Sequence, residues 1–146
     1  MTYGAMNRGV AQYRQVGASS AAYADPYELT KMLLEGAIER VSQARHALAQ
    51  GDIPSKAQRI SKAAAIVAAL RDTLDMKRGG ELAERLDALY EYMDRRLLEG
   101  NLKNEAGALE EVASLLREIK DGWDAIPPEA RHVQHKNAIG TTPAPA

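Results

Sequence analysis

The 146-residue chain contains no cysteine, which excludes disulfides, thiolate chemistry and cysteine-based zinc sites. It contains no phenylalanine and a single tryptophan, and aromatic residues make up only 5% of it. A core therefore has to be built from Leu, Ile, Val, Ala and Met, which suit helix-on-helix packing better than a sheet. Charge of either sign is not in excess: the net charge is −1 and the pI about 6.3, so a nucleic-acid footprint is not expected. No apolar run approaches the roughly 20 residues that a membrane span requires. The opening MTYGAMNRGVAQYRQ also lacks the apolar centre of a secretion signal. These absences lead to the expectation of a soluble protein in a reducing compartment, the cytoplasm, without insertion into a membrane.

What is present is ordinary for one globular domain, with 45% hydrophobic and 27% charged residues. Residues 1–24 are rich in Gly, Ala, Ser and Tyr without clean periodicity and are read as an N-terminal arm. Asp25-Pro26-Tyr27-Glu28 is a helix start, with Asp25 as cap, Pro26 in the first turn and Glu28 completing a capping box. Four helices follow. The first is expected over Pro26–Gln50, stopping at Gly51, and the second over Pro54–Met76. Gly79-Gly80 breaks the chain, and the third helix runs over Glu81–Glu99 with Gly100 as its C-terminal glycine. Asn104 caps the fourth, which extends to Ile126 before Pro127-Pro128. The bundle is thus expected over residues 25–128, and 129–146, ending in Pro, Thr and Ala, as a disordered tail. Helices of similar length joined by short links give an all-α, antiparallel up-down four-helix bundle.

At about 100° per residue, apolar stripes assign each helix a core face. They are Leu33, Leu34, Ala37, Val41, Ala44 and Leu48; Ile60, Ala63, Ala64, Val67, Leu70 and Leu74; Leu82, Leu86, Leu89, Met93 and Leu97; and Leu109, Val112, Leu116, Ile119 and Trp123. Several apolar residues are left over. Leu29 and Gly36 fall roughly 80–100° from the centre of the first stripe, Met32 roughly 140°, and Ile38 roughly 100° on the other flank. Ile66 and Leu115 lie about 100° off their stripes, Tyr90 and Tyr92 straddle theirs, and Leu98 points nearly opposite to it. Leu29, Met32 and Gly36, at i, i+3 and i+7, are read as an exposed ridge on which the glycine lets a partner backbone approach. Singly, such residues serve to widen a core.

Catalytic chemistry finds no foothold. His46 falls on the solvent side of its helix, and His132 and His135 stand in the tail without a carboxylate pair to complete a metal site. The Glu-x-x-His pattern of di-iron bundles is missing from the helix interiors. Arg95-Arg96 and Glu110-Glu111 read as solvated faces, and Arg71 as a snorkelling residue at the core's edge. No catalytic residue, metal or cofactor is expected.

The order of motifs resembles that of the flagellin-export chaperones, the FliS family. The resemblance is carried by Tyr13-Arg14-Gln15-Val16, then Asp25-Pro26, then Leu33-Leu34-Glu35-Gly36-Ala37-Ile38. It continues through Ile60-Ser61-Lys62-Ala63 with Ile66, Leu74-Asp75 and Gly79-Gly80-Glu81-Leu82-Ala83. It is most specific at Leu86-Asp87-Ala88-Leu89-Tyr90-Glu91-Tyr92-Met93, Arg95-Arg96-Leu97-Leu98 and Asn101, and it closes with Trp123. Gly100 departs from the family's usual Ala. The resemblance covers about residues 10–126 and implies a cytoplasmic four-helix bundle that binds the disordered C-terminal segment of flagellin, prevents premature polymerisation and helps deliver it to the export apparatus. It implies a client surface formed by Leu29, Met32, Gly36, Ile38, Ile66, Tyr90, Tyr92, Leu98 and Leu115. It also implies that Tyr13 and Val16 of the arm hold that surface when flagellin is absent, and that the membrane export-gate protein is a further partner of the loaded chain. A monomer or weak homodimer is expected. The alternatives are a self-associating structural bundle, or a regulator of another flagellar protein.

Overall fold

The computed structural model describes residues 25–131. The expected arm, with Tyr13 and Val16, and nearly all of the expected tail, with His132 and His135, lie outside the described residues. Four long helices make up most of what is described: α1 (Pro26–Ala49), α2 (Ile53–Asp72), α3 (Met76–Lys103) and α4 (Ala106–Asp124); a short helical stretch over 128–131 follows, so that the first residues of the expected tail, 129–131, are helical. The Asp25 carboxylate accepts the Tyr27 N–H at 3.0 Å, and Pro26 stands in the first turn of α1. Gln50 closes α1, and Gly51 follows it. Asp52 caps α2 by accepting the Ser55 N–H.

α1 packs on α2 and α4, and α3 packs on the same two helices, so the four close into a ring. Ion pairs show the antiparallel register. Glu35 of α1 stands opposite Lys120 of α4 and Arg45 opposite Glu110; ascending one helix descends the other. Likewise Lys56 meets Asn101 and Arg71 meets Asp87 between α2 and α3. The fold is the all-α bundle that the periodicity predicts. Its core is aliphatic, with Leu33, Leu34, Val41, Val67, Leu70, Met93, Leu97, Leu109, Val112 and Leu116 fully buried.

The helix boundaries differ from expectation around α3. α2 ends at Asp72 instead of Met76 because Asp75 caps the next helix, accepting the Lys77 and Arg78 N–H groups. Gly79-Gly80 therefore falls inside α3 as a kink, with Gly80 at φ 54° and ψ −134°. That conformation is strained for any residue with a Cβ. Gly100 does not end α3. It is buried where α4 crosses, and a Cβ there would sit 3.0 Å from Leu109 Cδ2. The helix runs on to Asn104, which adopts the left-handed conformation (φ 53°, ψ 44°), the residue next in preference to glycine for that role. Asn104 is thus the C-cap of α3 and not the N-cap of α4; that position belongs to Glu105, whose side chain makes no cap hydrogen bond. Leu82, expected in the core, is 63% exposed; it follows the kink and lies more than a turn before Asp87, which already faces the last turn of α2 at Arg71, so no part of α2 is left to cover it.

At one end of the bundle Tyr27 and Trp123 stack, ring centroids 5.5 Å apart. The Tyr27 hydroxyl donates to the Trp123 carbonyl, and Trp123 Nε1 donates to the Tyr27 carbonyl. The Arg131 guanidinium lies over the Tyr27 ring, 4.3 Å from its centroid, and donates to the Ile126 carbonyl. This joins the start of α1 to the end of α4.

Candidate functional site

The surface is best described by its four seams, because each seam is where two helices leave side chains between core and solvent. The α1–α4 seam is charged. Glu35, Glu39, Arg117, Lys120 and Asp121 line a shallow depression there, and Ile38 is its apolar member, half-buried. Ile38 therefore faces away from the α1 flank on which Met32 and Gly36 lie, toward α4.

The α1–α2 seam is nearly closed. Leu29 and Ile66, expected on the surface, are buried (4% and 8% exposed) and belong to the core cluster. Alanine is the cause: Ala37 and Ala44 of α1 and Ala63 and Ala69 of α2 are all buried. Small side chains let two helices approach closely, so flanking residues are swallowed that a wider spacing would leave outside. Met32 and Gly36 remain half-buried beside them.

The α3–α4 seam is locked by polar bonds. The Tyr92 hydroxyl donates to both Glu111 carboxylate oxygens at 2.9 Å, and Arg96 Nε donates to Glu111 at 2.7 Å. Arg96 also reaches Glu99, and the Arg95 guanidinium covers the Tyr92 ring at 5.7 Å. The bond from Arg96, then that from Tyr92, holds the Glu111 carboxyl below the usual carboxylate range, while the Tyr92 phenol is raised. Tyr92 is thus engaged within the bundle, and Leu115, one turn beyond Glu111, is half-buried. Tyr90, also expected at the surface, is buried at 2% exposure, and burial pushes its phenol up to about 12.

The α2–α3 seam differs from the others. Arg71 and Asp87 close one end, two bonds at 2.6 and 3.2 Å, and the Asp87 carboxyl is lowered chiefly by that hydrogen bonding. Arg71 is therefore a partner in an ion pair, more than a snorkelling side chain. Toward the other end Ile53, Leu98 and Leu102 are 42%, 56% and 72% exposed. Ala57, Ala64 and Ala68 share the flank of α2 that carries Arg71, and all are half-buried. Together these residues make an apolar stretch holding three of the five large hydrophobic residues exposed among those described; Met76 and Leu82, at the start of α3, are the other two. Sequence reasoning found Leu98 and missed Ile53 and Leu102. Leu102 lies one turn after Leu98 and was legible only if the helix continued past Gly100; Ile53 was assigned to the turn.

Of the nine expected surface residues, the fold places three in the core, five half-buried on different seams and Leu98 fully outside. Among the described residues no group of three or more His, Asp or Glu side chains is placed to hold a metal ion, and no helix is long and apolar enough to cross a membrane.

Comparison with known proteins adds a family. The family model for the flagellar protein FliS matches residues 7–130. A flagellar secretion chaperone FliSB from Pseudomonas aeruginosa is 46% identical over 120 residues, covering 82% of this chain and 95% of the relative. The flagellar secretion chaperone FliS of Salmonella typhimurium is 44% identical over 124 residues, 84% of this chain and 92% of the relative. That of Vibrio cholerae is 41% identical over 125 residues, 85% and 92% respectively. With a helical bundle of the expected order and a match over most of its length, the chain belongs to the FliS family of flagellar secretion chaperones.

Proposed function

We propose that this protein is a cytoplasmic chaperone for flagellin, binding its disordered C-terminal segment, preventing premature polymerisation and handing it to the flagellar export apparatus. The observation that carries the reading is an apolar surface, Ile53, Leu98 and Leu102 with the alanine flank of α2, on a member of a flagellar chaperone family. A disordered amphipathic segment gains by burying its apolar side chains there, and the cost of ordering it keeps the complex releasable. Met32, Gly36, Ile38 and Leu115 lie half-buried on other seams, so a client that touches all of them has to pass around the bundle. Leu29, Ile66 and Tyr90 are buried in the core and leave little for a client to touch, and the Tyr92 hydroxyl is held by Glu111. Tyr13 and Val16 of the arm are proposed to hold part of the surface before the client arrives, and the export-gate protein to receive the loaded complex.

The test is a calorimetric titration of the full chain with a synthetic peptide of the C-terminal segment of its own flagellin. Saturable one-to-one binding, with helix gained by the peptide in circular dichroism, is expected. Absence of heat and of induced helix at peptide concentrations up to 100 µM, about −5.5 kcal/mol or weaker on the affinity scale, would sink the reading. Sedimentation in the same samples separates client binding from self-association, because a self-associating bundle stays dimeric and ignores the peptide.

A further inference from the structure

Lys56 is the one charged side chain among the described residues that the fold buries almost completely, at 2% exposure. Its Nζ donates at 2.8 Å to the Asn101 carbonyl and at 2.8 Å to Asn101 Oδ1. No carboxylate pairs with it among the described residues; both acceptors are neutral oxygens of one residue on another helix. The site explains itself locally. Asn104 and Glu105 N–H both bond to the Gly100 carbonyl, so Asn101 O lies past the end of the helical ladder, where a carbonyl needs a partner. A cation there also meets the negative end of the α3 dipole.

Stability alone is a poor reason to bury a cation without an anion, since desolvation consumes most of the gain. The bond does fix one thing sharply: the distance and register between the start of α2 and the end of α3. Ile53 stands three residues before Lys56, Leu98 three before Asn101, and Leu102 directly after it. Each partner of the bond therefore stands within one turn of an exposed apolar side chain, and the three are the large apolar residues exposed at this end.

We propose that Lys56 is a positioning residue for client binding: its bond to Asn101 holds Ile53, Leu98 and Leu102 at the spacing that the apolar side chains of the client segment require. The proposal rests on the client reading above and names the part of the surface that gives the client its anchor. Lys56 itself does not touch the client.

The test is titration of the full chain with the flagellin C-terminal peptide, beside thermal unfolding of the same samples. Lys56→Met keeps the buried stem and removes the ammonium; about a tenfold loss of affinity is expected, with a melting shift of only a few degrees. Asn101→Ala removes one of the two acceptors and should weaken binding about threefold, whereas Asn101→Asp keeps the side-chain oxygen and should bind like the unaltered chain. In a Leu98→Ala/Leu102→Ala background, Lys56→Met should add less than about twofold, because two of the three residues it positions, and the two more exposed ones, are gone. Should Lys56→Met fail to fold, the two Asn101 variants decide the matter. Unchanged affinity in Lys56→Met, or in Asn101→Ala if that variant has to decide, while Leu98→Ala binds more weakly, overturns the positioning role and leaves the client reading standing. A full loss in the double-alanine background also overturns it. No binding by the unaltered chain overturns the client reading and the proposal with it.

Discussion

Replacing Leu97 and Leu98 by alanine, one at a time, separates the core of this bundle from its surface within two consecutive residues. They are about 100° apart on α3; Leu97 is 1% exposed and Leu98 56%. Leu97→Ala leaves a cavity in an aliphatic core and should cost about 3 kcal/mol. For a domain of this size that is a fall of roughly 10–20 °C in melting temperature. Leu98→Ala removes a side chain that is already mostly hydrated, so stability should move by no more than about 0.5 kcal/mol. The same exposure sets its effect on binding. Burying a whole leucine side chain is worth about 1.5–3 kcal/mol, and a little over half of this one is still available to a client. A loss of about 1–1.5 kcal/mol, roughly five- to twelvefold in affinity for the flagellin C-terminal peptide, is expected. Urea unfolding followed by circular dichroism and calorimetric titration of the same two proteins give the four numbers needed. If Leu98→Ala unfolds as early as Leu97→Ala, or binds the peptide as tightly as the unaltered chain, the assignment of this face is wrong.

Three further expectations concern the frame. Gly80→Ala forces a Cβ into a conformation that disfavours it and should cost about 1–3 kcal/mol. Gly100→Ala gains about 1 kcal/mol of helix propensity, but its Cβ would crowd Leu109 at 3.0 Å, so a net loss is expected, larger for Gly100→Val. Gly107→Ala meets nothing within 4 Å and should stabilise by up to about 1 kcal/mol; denaturant midpoints rank all four. The Asp87 and Glu111 carboxyls titrate lower in the folded chain than in the unfolded one, so the folded state holds fewer protons. Their contribution is present above the ordinary carboxylate range and is lost as pH falls below about 4. Urea midpoints should therefore separate the unaltered chain from Asp87→Asn and Glu111→Gln at pH 7 and draw together as pH falls below the ordinary carboxylate range and through the lowered folded values. Tyr27→Phe breaks the hydroxyl bond to the Trp123 carbonyl and should cost about 1 kcal/mol. Since Trp123 is the single tryptophan, fluorescence should report loosening of that end at lower denaturant than circular dichroism reports global unfolding.

Four helices and most of their inner faces are legible in the spacing of apolar residues; Leu82, beside the kink, is the exception at 63% exposure. The 3-4 spacing of Leu109, Val112, Leu116, Ile119 and Trp123 works only on a helix, and Asp25-Pro26 needs no tertiary context to start one. Local chemistry was misread only where one residue type serves two purposes. Gly100 looked like a helix end and is a close approach to Leu109, a difference that depends on where α4 lies. Asn104 looked like the start of α4 and ends α3, because a left-handed residue and an N-cap draw on the same short polar side chains.

Which residues beside the stripes face outward depends on packing that no single helix contains. An angle on a helical wheel does not say how closely the neighbouring helix lies. Alanines bring α1 and α2 together, so Leu29 and Ile66 went inside, while the polar lock of Tyr92, Arg96 and Glu111 sealed the α3–α4 seam. The apolar surface was left at Ile53, Leu98 and Leu102, where the bond from Lys56 to Asn101 sets the separation of α2 and α3. That bond joins residues 45 positions apart in the chain, which is why no local pattern announces it.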